Sequence, residues 1–389
     1  DSWLAQLPRA LRRRPLLWWA LLLLLIPWAL LQSEMQSPPI ERQHYFNAAV
    51  LGLLVWLLGY DARREEWRAM LPKLSRSRFS GVLLSATTLL ILLLGIELAL
   101  RHWLFFTNSY ATGLIHKRWD RAYWHPLNEL DFRDYPIQTD LPPHIKRLLV
   151  VGDSFAAGFG ITDIEDTFPH ILDRLLGENV AVSVVAHAGW NTDEELIGLP
   201  AYPVKPDILV LSYYLNDIAY LARDEFNYWS EAYHPPPSWL APLVDHSYLA
   251  NFLYWNIYIQ RLNGGDRRYD EVLLGLYAQP DYWAQHRTDL LALIDWARQQ
   301  GAEVAVLIWP LLQNIPDSAP VTEQLQAFFE EQGVPVANLA HVFATCSPMQ
   351  LVVNPFDAHA NAATHRIAAE TLHRLLNDIT PVEVPVCPP

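Results

Sequence analysis

From residue 146 onward the chain repeats one pattern: a short apolar run, then a stretch with helical spacing. The runs are "RLLVV" (147–151), "VAVSVVA" (180–186), "DILVLSYY" (207–214), "AEVAVLIW" (302–309) and "VPVAN" (334–338). They are continuous and rich in β-branched residues rather than alternating in and out, as parallel strands covered on both faces should be. The intervening segments 165–177, 192–199, 282–300, 319–332 and 361–377 read as helices. Strand–helix alternation of this kind predicts an α/β fold layered around a parallel sheet. Functional groups in such sheets gather at the carboxyl ends of the strands.

The first hundred residues obey a different rule. The whole chain is 51% hydrophobic and only 18% charged, and the apolar excess is concentrated there. "PLLWWALLLLLIPWALL" (15–31), "FNAAVLGLLVWLLGY" (46–60) and "GVLLSATTLLILLLGIELAL" (81–100) are nearly free of charge. About 20 apolar residues cross a bilayer core, so the third spans comfortably and the first two need their aromatic ends. A cleaved signal peptide would be a single run, whereas three make an anchor. Arg9, Arg12, Arg13 and Arg14 precede the first run, and Arg63, Arg64, Arg68, Lys73, Arg76 and Arg78 lie between the second and third. The loop between runs one and two carries a single arginine, Arg42. This bias predicts a cytoplasmic N-terminus, three crossings of the inner (cytoplasmic) membrane, and a periplasmic or extracellular catalytic domain. If 46–60 is instead re-entrant, two crossings leave that domain in the cytoplasm. Glu97, within the third run, faces another helix or sits near the outer interface. The expected organisation is an anchor over 1–106, a lead-in over 107–145 and an α/β domain over 146–389.

A net charge of −14, with no basic stripe outside the membrane-flanking segments, excludes nucleic acid as a partner. Cys346 and Cys387 form no CxxC pair, which argues against zinc; in an oxidising compartment they could join as a disulfide. Residues 218–280 break the strand–helix rhythm with a long aromatic insertion that includes Tyr220, Trp229, Trp239, Tyr254 and Trp255. Its readings are a lid, a sugar-stacking surface, a membrane-resting surface, or a helical subdomain with an aromatic core.

Ser154 directly follows the run 147–151, in "GDSFAAGFG", and no GxSxG elbow surrounds any serine. A Gly-Asp-Ser triplet alone is weak. Nucleophilic catalysis also needs a base, a group that orients the base, and oxyanion donors. "NPFDAHANAATHRIAAE" (354–370) supplies Asp357 and His359, whose side chains leave the same side of an extended segment. The carboxylate can then hold one ring nitrogen and leave the other for Ser154. His365 reads better as a partner for a backbone group. Gly189, after 180–186, can bring its N–H close to a reacting carbonyl, and the Asn216 amide, after 207–214, can donate to the same oxygen. Taken singly, Gly189 is also a turn glycine, Asn216 a cap and Asp217 a solvated loop residue.

In their order along the chain, Gly152-Asp153-Ser154, Gly189, Asn216-Asp217 and Asp357-Ala-His359 resemble the SGNH/GDSL hydrolase family, over roughly 146–378. "HPLNELDFRDYP" (125–136) is similar to the lead-in of many bacterial members. The resemblance implies a flavodoxin-like three-layer α/β/α domain, with Ser154 as nucleophile and His359 as base oriented by Asp357. It implies an oxyanion hole made by Ser154, Gly189 and Asn216, and neither metal nor cofactor. Leu215 departs from the family pattern, standing where glycine often precedes the Asn-Asp pair. The Asp–His spacing is one residue shorter than the commoner form, and the second block lacks a clear upstream asparagine. The expected function is a membrane-anchored serine ester hydrolase acting through an acyl-enzyme on an acylated envelope glycan or lipid. The alternatives are an O-acyltransferase for a surface polysaccharide and a non-catalytic glycan-binding or assembly subunit.

Overall fold

A computed structural model describes residues 78–223, 234–259, 266–377 and 387–388. The apolar runs 15–31 and 46–60 lie outside the described residues, as does 224–233 of the aromatic insertion. The chain falls into two units, one ending at His102 and the other beginning at Trp103.

In the first unit, helix α1 (Arg78–His102) includes an apolar stretch, Ser85–His102, long enough to cross a membrane. Consecutive positions Leu89, Leu90, Ile91, Leu92 and Leu93 are all exposed, so the apolar surface runs around the helix rather than along one stripe. Glu97, expected to face another helix or the interface, accepts a hydrogen bond from Arg101 one turn on, at 3.1 Å.

In the second unit, α2 (Gly113–Tyr123) precedes β1 (Lys146–Gly152), α3 (Phe168–Leu176), β2 (Val180–Ala186), α4 (Thr192–Gly198) and β3 (Ile208–Tyr214). Next come short helical turns within Leu215–Tyr258, then α5 (Asp266–Tyr277), α6 (Pro280–Gln299), β4 (Glu303–Trp309), α7 (Ile315–Glu331) and β5 (Val336–Asn338). The chain continues through β6 (Val352–Asn354) and β7 (Asp357–Ala360) to α8 (Ala362–Leu376). All five expected strands form, in a wholly parallel sheet ordered β2-β1-β3-β4-β5. The inner strands β1, β3 and β4 are buried through most of their length, which is why their sequences are nearly unbroken apolar runs. β2, at an edge, buries only its last three residues.

With the right-handed crossovers that parallel strands take, the order β2-β1-β3-β4-β5 puts α3 on one face and α4, α6 and α7 on the other. α8 packs on α3 and completes the first layer. β6 and β7 form a separate antiparallel ribbon. The helix expected over 319–332 begins earlier, at Ile315, because Pro316 occupies the first turn, where its missing N–H has no helical partner anyway. The described parts of the insertion are mostly helical, with a small core of Val244, Tyr254, Trp255 and Ile259. Cys346 and Cys387 form a disulfide, tying the chain end to the segment that leads into β6.

Candidate active site

The chain runs from β1 outward to β2 and then back across to β3, so the sheet's topological switch lies between the carboxyl ends of β1 and β3. Ser154 sits there, two residues beyond β1, in a tight helical turn closed by Ala157 N–H to Asp153 O (3.0 Å) and Phe159 N–H to Ser154 O (2.9 Å). Its side chain is 6% exposed. Asp357 and His359 lie on β7 with side chains on one face, and the ring Nδ1 approaches Asp357 Oδ1 at 2.5 Å. The other nitrogen, Nε2, lies 2.9 Å from Ser154 Oγ. With Nδ1 protonated toward the carboxylate, Nε2 is the acceptor for the serine proton.

The serine hydroxyl has a second acceptor within reach, Asp153 Oδ2 at 3.2 Å. Asp153 is fully buried, and burial pushes its carboxyl up to about 6 against the hydrogen bonds and the His359 charge that oppose it. Burial also pushes the Asp357 carboxyl up. The His359 charge and hydrogen bonds from His359 and Thr107 outweigh that effect and hold it below the usual carboxylate range. The imidazole of His359 packs between Phe155 and Phe159, with ring centres 5.2 and 4.5 Å away.

Ser154, His359, Gly189 and Asn216 line one cavity of about 190 Å³. Gly189 has φ +84°, a region that other residues rarely adopt, while a Cβ placed there would meet nothing within 4 Å. Backbone conformation, rather than space, therefore calls for glycine at this position. Asp217, one of whose readings was a solvated loop residue, is completely buried and accepts the Tyr214 N–H at 3.2 Å. Leu215, the departure from the family pattern, is buried, and its carbonyl accepts the Tyr277 hydroxyl at 2.7 Å. Tyr277 is 2.5 Å from the Tyr213 hydroxyl, which in turn meets His286 Nε2 at 2.7 Å. Burial holds His286 down to about 3, so it is neutral in this network. The backbone beside Asn216 is thus anchored by α5, and the same helix brings Tyr269 to the cavity wall.

His365 takes the structural role. Its Nδ1 accepts the Phe168 N–H at 3.1 Å, capping α3 from α8, and burial lowers its pKa to about 3. Arg133, unremarked in the lead-in sequence, is 1% exposed and donates to the carbonyls of Tyr123 (3.0 Å), Ala157 (3.3 Å), Gly158 (2.6 Å) and Ile161 (2.7 Å). It braces the turn that carries Ser154. Burial lowers this guanidinium to about 10, and Trp124 stacks at 5.0 Å from it.

A serine in hydrogen-bond reach of a carboxylate-oriented histidine, at the switch point of a parallel sheet, defines the serine-hydrolase class of site. The chain belongs to the GDSL-like lipase/acylhydrolase family, whose model matches residues 150–367. It is a serine esterase of the SGNH type. Solved structures that align with the chain include a protein titled TesA, at 18% identity, covering 60% of this chain and 99% of that one with a TM-score of 0.38. A phospholipase A1 from Streptomyces albidoflavus NA297 aligns at 12% identity, covering 60% and 99%, with a TM-score of 0.40. A carbohydrate acetylesterase family member from Sinorhizobium meliloti aligns at 14%, covering 60% and 98%, with a TM-score of 0.35. No curated protein matches the chain.

Proposed function

We propose that the chain is a membrane-anchored ester hydrolase, facing outward from the inner membrane, that removes acyl groups from an acylated envelope glycan or lipid through an acyl-enzyme. The observation that carries the chemistry is the relay from Asp357 Oδ1 to His359 (2.5 Å) and from His359 to Ser154 Oγ (2.9 Å), opening onto a cavity shared with Gly189 and Asn216. Ser154 Oγ attacks the ester carbonyl while His359 Nε2 takes its proton. Negative charge collects on the carbonyl oxygen, where the N–H groups of Ser154 and Gly189 and the Asn216 amide act as donors. Collapse expels the alcohol, which takes the proton from His359, and Ser154 is left acylated. Water, deprotonated by His359, then attacks the acyl carbon and restores the serine. A cavity of about 190 Å³ suits a short acyl group such as acetyl.

Anchoring is supported by α1 and by the two apolar runs upstream of it, and outward orientation by the arginine asymmetry of the loops. The test is the purified full chain in detergent with 4-nitrophenyl acetate and an organophosphonate. Turnover, together with phosphonylation of Ser154 found by peptide mass spectrometry, supports the reading. An intact serine and no turnover would sink it and favour a binding or assembly role. Acyl transfer to an added glycan in preference to water would move the assignment to the O-acyltransferase.

A further inference from the structure

The Asp357 carboxylate faces two ways. Oδ1 meets the His359 ring and also accepts the His359 backbone N–H at 3.1 Å. Oδ2 accepts the hydroxyl of Thr107, a fully buried residue in the lead-in, well upstream of the matched span 150–367. The pair is sealed in place. A Cβ added at Gly160 would stand 3.3 Å from both Thr107 Oγ1 and Asp357 Oδ2, and only 2.6 Å from Val353. The backbone around Thr107 is held as firmly. Asn354 Nδ2 donates to the Thr107 carbonyl at 3.1 Å, Ser109 N–H to Phe356 O at 2.9 Å, and Ala358 N–H to Ser109 Oγ at 2.9 Å. Phe106 stacks on Phe356 with ring centres 6.0 Å apart. The same segment, through Ser109, Tyr110 and Ala111, lines the cavity in front of Ser154.

A two-stranded ribbon alone is marginally stable. β6–β7 gains from the lead-in a third line of hydrogen bonds and, at Thr107, a donor aimed at its buried carboxylate. We infer that Thr107 is a positioning residue: its hydroxyl fixes the rotation of the Asp357 carboxylate, and through it the aim of the His359 ring at Ser154. The active site is then completed by the lead-in rather than by the matched span alone. This inference rests on the esterase reading above. Without the hydroxyl, Oδ2 is left buried without that donor and the carboxylate is free to turn, which misdirects the base.

The experiment uses the full chain in detergent, 4-nitrophenyl acetate as substrate, and an organophosphonate to count reactive serines. Thr107→Val should lower kcat per titrated site by about 10- to 100-fold with KM changed less than about twofold, and Thr107→Ser should recover to within about threefold of the parent. A Thr107→Val variant with parental kcat per titrated site and only a lowered Tm would overturn the proposal, as would a Thr107→Ser variant no better than valine. A second readout does not depend on turnover. The low-field imidazole proton shared by His359 and Asp357 should shift or vanish in Thr107→Val and persist in Thr107→Ser; an unmoved resonance in the valine variant counts against positioning. If the parent chain itself turns over no ester, the esterase reading fails, and this proton signal still decides the role of Thr107.

Discussion

The two halves of the candidate active site are built on opposite principles. Ser154 grows out of an inner strand of the sheet: β1 is flanked by β2 and β3, and the turn after it is closed by its own backbone and braced by Arg133. His359 stands on a two-stranded ribbon outside that sheet, tied down by residues 107–109, and the segment leading into it is stapled by a disulfide. One half is rigid because the core surrounds it, the other because distant pieces of chain have been fastened to it. The difference predicts that loosening the bracing of the serine turn will appear as lost stability, and loosening the lead-in's hold on β7 as lost geometry.

The largest effect tests whether the halves act as one unit. Ser154→Ala and His359→Ala should each lower kcat for 4-nitrophenyl acetate by about 10⁴-fold or more, and the double variant should be scarcely worse than either single one. Multiplying losses would mean that the two residues do not share a step. Next comes Arg133→Met, which strips four backbone carbonyls of their charged donor while keeping the side chain's bulk. Denaturant unfolding should show a loss of about 3 kcal/mol or more. A stable variant with normal unfolding would break the contrast between the halves.

What was legible in the sequence follows the same division. The inner strands were readable because burial on both faces leaves their runs almost wholly apolar, and the meeting of Ser154, Gly189 and Asn216 at one cavity because each follows one of the apolar runs. That Asp357 and His359 meet was readable because residues two apart in a strand share a face. Thr107 and Arg133 were not, since their roles exist only through partners elsewhere in the chain: Asp357 lies 250 residues from Thr107, and Arg133 reaches Ile161 across 28. Tyr277 is a similar case. Nothing in the insertion's aromatic content says which tyrosine will hold the Leu215 carbonyl, 62 residues away. Asp217 gave a misleading signal, because a carboxylate after a strand usually meets water, yet this one is enclosed.

The disulfide sharpens the histidine-side prediction. Cys346 and Cys387 are separated by 41 residues, and Gln350 Nε2 donates to the Pro388 carbonyl at 2.9 Å beside them. Closing a loop of that length is worth at most about 4 kcal/mol through the entropy of the unfolded chain. Reduction, or the paired Cys346→Ser and Cys387→Ser change, should lower Tm, measured with and without reductant. The kcat per titrated serine should stay within about twofold of the parent, because Thr107 and Ser109 still hold β7. A large loss of kcat at full folding would mean that the staple, rather than the lead-in, sets the ribbon.

The smallest effect probes the cost of the serine side's burial. Glu195, Asp217 and Asp153 are all enclosed near the carboxyl ends of β1 and β3, and neither carboxylate oxygen of Glu195 has a hydrogen-bond partner among the described residues. Burial first, and the neighbouring carboxylates Asp153, Glu194 and Asp193 second, push the Glu195 carboxyl well above its ordinary range. A carboxyl whose pKa is raised by folding binds its proton more tightly in the native state. Its favourable contribution is therefore complete below the unfolded value of about 4.3 and is lost as pH rises through the higher folded one. Glu195→Gln keeps the shape and removes the titration. It should raise Tm at pH 8 and leave it nearly unchanged at pH 4, where the parent's carboxyl is already neutral. Equal shifts at both pH values would mean that the gain comes from packing, and a lower Tm at pH 8 would mean that the charged form has a partner the enclosed cluster does not display.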